Sequence, residues 1–370
     1  MVGAVCSSLH SEGAAPASDW NGWEAAGWLP PSGDGNGFAG RAAEDACLLA
    51  GSGFGSLRIT LEWARLEPRP DGKFDVDEVD RYRRILEAIR AAGLEAWATL
   101  VHTSLPGWFS EDERGFLDDR MARWVWPAHV DRIAESFGDL VDGWVPFHEP
   151  LRYALDAWLL ARLPPGRTDA RDTRQGLRLL QAADAQAARL LAVSGGAPVA
   201  SSHWLPAVYA MDSTPESRLA AAAAEELAWS SWRDDDNHDL LGVSCAYAIG
   251  VAGDGSFHPW PRDVPAGPMG WAPWPQAVAE TLHRIAEEKP DRPLLLTTGA
   301  WDDDDERRDV TMRGLDAAIS EAVGDGVPVR HVQWWSAVDG YEGRAGFTTR
   351  SGLFTRDREP AMAGTVTVGG

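Results

Sequence analysis

Glu149 closes a short apolar run, Trp144-Val145-Pro146-Phe147-His148-Glu149-Pro150. A carboxyl in that position can give or take a proton when its surroundings raise its pKa. Other polar residues follow apolar runs in the same way: His10 and Glu12, Glu62, His102, His203, and Asp339 with Glu342. One late run, Pro293-Leu294-Leu295-Leu296-Thr297-Thr298-Gly299, ends on hydroxyls and carries no carboxylate.

Eight apolar runs supply the elements that must position these groups: Val2–Cys6, Leu57–Leu61, Ala96–Val101, Trp144–Phe147, Pro198–Ser202, Leu240–Ser244, Pro293–Thr297 and Val329–Trp335. Helical patterns lie between them. From Val76 to Ala92, residues Val76, Val79, Tyr82, Leu86 and Ile89 repeat at helical spacing, with Asp75 as cap and Gly93 as stop. Val130, Ile133 and Phe137 form a second stripe, and the Ala-rich stretches Gln175–Val193 and Pro215–Trp229 predict two more helices. Eight strand–helix units predict an α/β fold, a single (β/α)8 TIM barrel over residues 1–370 with no domain boundary. Active sites of such barrels lie at the C-terminal strand ends, so the polar residues named above are expected to share one mouth.

The chain of 370 residues is 44% apolar and carries a net charge of −22, a surface that repels nucleic acid and anionic membranes. No apolar stretch is long enough to span a bilayer. The segment Met1–Cys6 lacks the basic flank and long apolar middle of a signal peptide, and three cysteines make no disulfide frame, which predicts a cytoplasmic protein. Nineteen tryptophans exceed ordinary usage; they are read first as core, second as faces for stacking on sugars.

In order along the chain, Ser8-Leu9-His10-Ser11-Glu12-Gly13, Arg58-Ile59-Thr60-Leu61-Glu62-Trp63, Thr99-Leu100-Val101-His102, His148-Glu149-Pro150, Met269-Gly270-Trp271 and Trp335-Ser336-Ala337-Val338-Asp339-Gly340-Tyr341-Glu342 resemble the strand-end signatures of the family-1 glycoside hydrolases, the β-glucosidase family. The resemblance runs from about Val2 to Arg358. It implies a (β/α)8 barrel and retaining cleavage of β-glycosides, with a small-molecule sugar or glycoside as ligand. It also implies Glu149 as general acid/base, with His102, Trp335 and Glu342 around the sugar and Arg58 beside the nucleophile.

The departures from the family pattern fall at the expected site. Thr297 stands at the nucleophile position, His10 replaces Gln, His148 replaces Asn, Ser244 and Ala246 replace Asn and Tyr, and Gly343 replaces Trp. Retaining cleavage needs two carboxyl groups about 5–5.5 Å apart, and a threonine hydroxyl is protonated at neutral pH. Arg58 is thus expected to be an uncompensated cation that lowers the pKa of Glu149. Three readings stay open. The protein hydrolyses glycosides with water attacking directly and Glu62, Glu342 or His148 as base. Alternatively, it has reused the pocket for acid–base chemistry on another, anionic metabolite, or it binds a sugar without turnover.

Spacing gives no support to a metal site at His10, His102 and His148. Asp302–Glu306 reads as a helix start, since acidic residues favour the positive end of the helix dipole. Gly33–Gly37 reads as a loop, and Gly53-Phe54-Gly55 precedes a strand rather than following one. No cofactor is inferred.

Overall fold

The structure, a computed structural model, describes residues 1–361. Its main sheet has eight parallel strands in chain order: Val2–Cys6, Ser56–Thr60, Glu95–Val101, Gly143–Phe147, His203–Trp204, Leu241–Ser244, Leu294–Gly299 and Val329–Trp335. The spatial order is fourth, third, second, first, eighth, seventh, sixth, fifth. Closure comes between the fourth and fifth: Trp144 N donates to Pro198 O at 2.9 Å, and Ala200 N to Trp144 O at 2.8 Å. The ladder therefore returns on itself as a barrel.

Seven of the predicted strands lie where expected within a residue or two. The fifth differs. Across Pro198–Ser202 only single bridges form, Val199 to Trp144 and Ala200 to Leu240, and continuous pairing shifts to His203–Trp204. Ser201 is the physical reason. Its side-chain oxygen accepts the Gly242 N–H at 2.9 Å, where a regular ladder would use a carbonyl. The backbones approach so closely that a Cβ on Gly242 would meet Ser201 O at 1.5 Å.

The helices follow the periodicity. Val76–Ala91 buries Tyr82, Ile85, Leu86 and Ile89, and the Asp75 side chain accepts the N–H of Asp77 and Glu78. Val76, the first helical residue, turns outward and is exposed, unlike the rest of its predicted stripe. Trp126–Phe137 buries Val130, Ile133 and Phe137. The Ala-rich helices run longer than predicted, Ala170–Gly195 and Pro215–Arg233. Asp304 caps Asp305–Gly324, so the acidic run does start a helix. Apolar side chains between strands and helices form the large core, whereas Trp97, Val145, Ala200, Leu240 and Leu295, drawn from five consecutive strand segments, form a separate cluster.

A three-stranded sheet was not visible in the sequence. Ala207–Ala210 pairs parallel with Ala248–Val251, which pairs antiparallel with Phe257–Trp260. These strands come from the segments after the fifth and sixth barrel strands and stand beside the mouth. None of the helices among the described residues is long and apolar enough to cross a membrane.

Candidate functional site

A cavity of about 640 Å³ opens at the C-terminal ends of the barrel strands. Glu149, His10, His102, His148, Thr297, Trp335 and Glu342 all line it. Arg58 does not; it is fully buried behind Thr297. Seven of the eight sequence-predicted site residues therefore share the cavity, and Arg58, expected to contact the ligand, reaches it only through Thr297.

Glu149 owes its position to the backbone. Its φ of 49° lies in the left-handed region, which few non-glycine residues adopt. The conformation is held from both sides. Its N–H donates to Ser202 O at 2.9 Å, and its carbonyl accepts Tyr153 N–H at 2.9 Å in the helix Pro150–Trp158. Ser244 Oγ donates to Oε1 at 2.5 Å, and Arg152 Nη1 lies 3.7 Å from Oε2. Burial pushes the Glu149 pKa up, while Arg152, Ser244 and Arg58 oppose it; the net direction is upward. The sequence argument ran the other way, because the charge of Arg58 is visible in a sequence and desolvation is not.

The three histidines do converge, but as aromatic faces. His102 stacks on His148 with ring centroids 4.1 Å apart and on Trp335 at 5.0 Å, and His10 packs edge-on to Trp335 at 4.9 Å. Parallel faces do not aim their nitrogens at a common point. Burial lowers all three pKa values, that of His10 to about 3 and those of His102 and His148 well below the usual range, so the rings are neutral at pH 7. His148 Nδ1 is fixed by Ser202 Oγ at 3.0 Å, and its Nε2 lies 3.8 Å from Glu149 Oε1.

Glu342 and Trp335 form one unit. Trp335 Nε1 donates to Glu342 Oε1 at 2.9 Å, and Ser351 Oγ to the same oxygen at 2.6 Å. Burial raises the Glu342 pKa to about 7 against these donors. Arg58 Nη2 donates to Thr297 Oγ1 at 3.1 Å, and no ion pair forms on this guanidinium among the described residues. Burial lowers its pKa to about 9, with Glu149 acting in the opposite sense, so it remains a cation at neutral pH.

Other strand-end residues serve elsewhere. Glu62 lies outside the cavity, accepts from Ser8 Oγ and from Ser104 Oγ at 2.9 Å, and caps Ala64 N. Glu12 pairs with Arg81 at 3.0 Å and accepts from Tyr82. Asp339 accepts the N–H groups of Ser351 and Gly352. His203 faces away, with Nε2 2.9 Å from Asp235 Oδ2.

Sequence reasoning missed Arg152 and Tyr247. Arg152 donates to Tyr247 OH at 2.5 Å and lies over the Trp271 ring at 4.7 Å, while Tyr247 stacks on Trp271 at 4.2 Å. Arg152 is one helical turn after Glu149, which is the only signal the sequence offers for it. The tryptophans divide between roles: Trp63, Trp97, Trp126, Trp144, Trp232 and Trp334 are fully buried packing, whereas Trp204, Trp271, Trp301 and Trp335 line the cavity.

Residues 36–237 match the family model described as Glycosyl hydrolase family 1. Beta-glucosidase 34 of Oryza sativa subsp. japonica is 30% identical over 127 residues, covering 34% of this chain and 25% of that protein, so this match spans about a quarter of the relative. Beta-glucosidase 4 of the same organism is 23% identical over 393 residues, covering 87% of this chain and 80% of its own. The beta-glycosidase from Pyrococcus horikoshii superposes with a TM-score of 0.86 at 25% identity, covering 97% of this chain and 90% of the other. Family match, barrel topology and a cavity at the strand ends agree: the chain belongs to glycosyl hydrolase family 1.

Proposed function

We propose that the protein cleaves β-glycosides with Glu149 as proton donor and without a carboxylate nucleophile. The observation that carries this reading is the state of Glu149, a carboxyl buried at the cavity wall whose pKa is raised by desolvation. Its proton passes to the glycosidic oxygen as the bond to the anomeric carbon breaks, and the aglycone leaves as the neutral alcohol. Thr297 accepts a hydrogen bond from Arg58. Among the described residues no base accepts the Thr297 proton, so the hydroxyl is not activated as a nucleophile. Water is then the attacking group. Its oxygen bonds to the anomeric carbon and its proton goes to an acceptor. Of the three acceptors predicted from sequence, Glu62 is outside the cavity, leaving His148 and Glu342. The sugar ring is assigned to the Trp335–Glu342 end, where an aromatic face and a carboxyl stand together as sugar recognition needs.

The test is a panel of alkyl and unactivated aryl β-glycosides, whose leaving groups need a proton, with the released anomer read by NMR and Glu149→Gln as control. General-acid catalysis contributes about 10²–10⁴-fold, and turnover in the Gln variant is expected to fall by that order. Equal turnover in both proteins refutes the assignment. Release of the α anomer supports direct attack by water, whereas the β anomer shows that some group of the protein forms a covalent intermediate.

A further inference from the structure

Arg58 is a cation that nothing among the described residues neutralises. It is fully buried, its side chain donates to Thr297 Oγ1 at 3.1 Å, and its Nε and Nη1 have no partner among the described residues. An uncompensated buried charge is strongly unfavourable, and a counter-ion relieves it. Glu149 is the acid that acts on Arg58, but its carboxyl is already engaged by Ser244 and lies beside Arg152. Arg152 has Asp156 at 3.5 Å, a carboxylate that it shares with Arg162 at 3.4 Å, whereas Arg58 has no carboxylate within ion-pair distance among the described residues.

Thr297 connects that charge to solvent, because Thr297 lines the cavity and Arg58 does not. Its oxygen accepts from Arg58 Nη2, so its own proton is free to be donated into the cavity. A negative group placed against Thr297 receives a hydrogen bond from a hydroxyl polarised by the guanidinium, and it stands in the field of an arginine screened by little water.

We propose that Thr297 and Arg58 form a binding site for one small monovalent carboxylate, of the size of formate or acetate. One unit of charge matches one guanidinium, that of Arg58, which has no ion pair among the described residues. A carboxylate oxygen accepts from the Thr297 hydroxyl, while Arg58, behind it and out of contact, supplies the favourable field. The site needs no turnover to exist, so it stands or falls separately from the glycosidase reading.

The experiment is thermal unfolding of the full chain titrated with sodium formate, with ionic strength held constant by sodium MOPS. In the unaltered protein the unfolding temperature should rise to a plateau, as specific binding to the folded state requires. Thr297→Val keeps the side-chain shape and removes the donor. Its half-saturating formate concentration should be about tenfold higher, the effect of one lost charge-assisted hydrogen bond. Thr297→Glu delivers a tethered carboxylate to Arg58 and should show no saturable response. A response without a plateau in the unaltered protein, or an unchanged half-saturation in Thr297→Val, overturns the site even if Thr297→Glu fails to fold.

Discussion

Replacing Glu342 by Gln isolates the energetic consequence of burying a carboxyl at the mouth of the barrel. Glu342 is 4% exposed, and burial lifts its pKa from 4.5 to about 7 despite hydrogen bonds from Ser351 and Trp335. A folded-state pKa above the unfolded one means that the folded chain holds this proton more tightly. The stability it contributes is complete below pH 4.5 and is lost as pH rises through 7. Each tenfold in proton affinity is about 1.4 kcal/mol, so the full loss is about 3 kcal/mol. Between pH 5.5 and 8, above the sequence pI of 4.7 where solubility fails, about 2 kcal/mol of it falls within the measurable window. Gln keeps an oxygen for Trp335 and Ser351 but cannot ionise. Urea unfolding of both proteins at pH 5.5 and 8 should therefore show the unaltered protein losing about 2 kcal/mol relative to Glu342→Gln across that interval. A difference between the two proteins that is the same at both pH values refutes the reasoning, because it means that Glu342 does not titrate there.

Three other perturbations test the packing and charge network. Arg358 pairs with Asp45 through hydrogen bonds of 2.8 and 2.9 Å, both residues being buried; Arg358→Met strands the carboxylate and should destabilise by about 3–5 kcal/mol in urea unfolding. Gly143 lies against Trp97, whose ring would be 2.5 Å from an added Cβ; Gly143→Ala should lose about 1–3 kcal/mol by calorimetry, and an unchanged midpoint contradicts the close approach. Burial opposes charge on His238, but Asp184 and Asp235 outweigh it and raise its pKa to about 10. The associated stability is complete below pH 6.5 and is lost as pH rises through about 10. Imidazole nitrogen NMR at pH 8 should show His238 protonated, and a neutral ring shift sinks that assignment.

The barrel was legible because most strands are apolar runs and several of the helices between them carry a capping residue. Asp75 and Asp304 cap helices where the sequence places them, and the polar residue after each run lands at the strand's C-terminal end. Local backbone competition was not legible. Ser201 reads as an ordinary strand residue, yet its hydroxyl takes a ladder donor and breaks the fifth strand. The site was legible as far as strand ends carry it, which covers Glu149, His102 and Thr297. Arg152 and Tyr247 approach from a helix and from a segment beyond the sixth strand, and only their meeting at 2.5 Å reveals them. The direction of the Glu149 shift also escaped sequence reasoning, because it is decided by how much water the finished cavity excludes.

The three-stranded sheet contributes Ile249, Phe257, His258 and Pro259 to the cavity wall, yet the barrel closes without any of its hydrogen bonds. The cavity wall is thus drawn from two sheets that share one core. One is the ring that carries Glu149, where a change of backbone disturbs every neighbour; the other is a bordering sheet whose middle strand, Ala248–Val251, is buried and whose outer strand, Phe257–Trp260, is partly exposed. Substitutions along Phe257–Trp260 can therefore reshape the border of the cavity while Glu149, at the fourth strand end, keeps its backbone position.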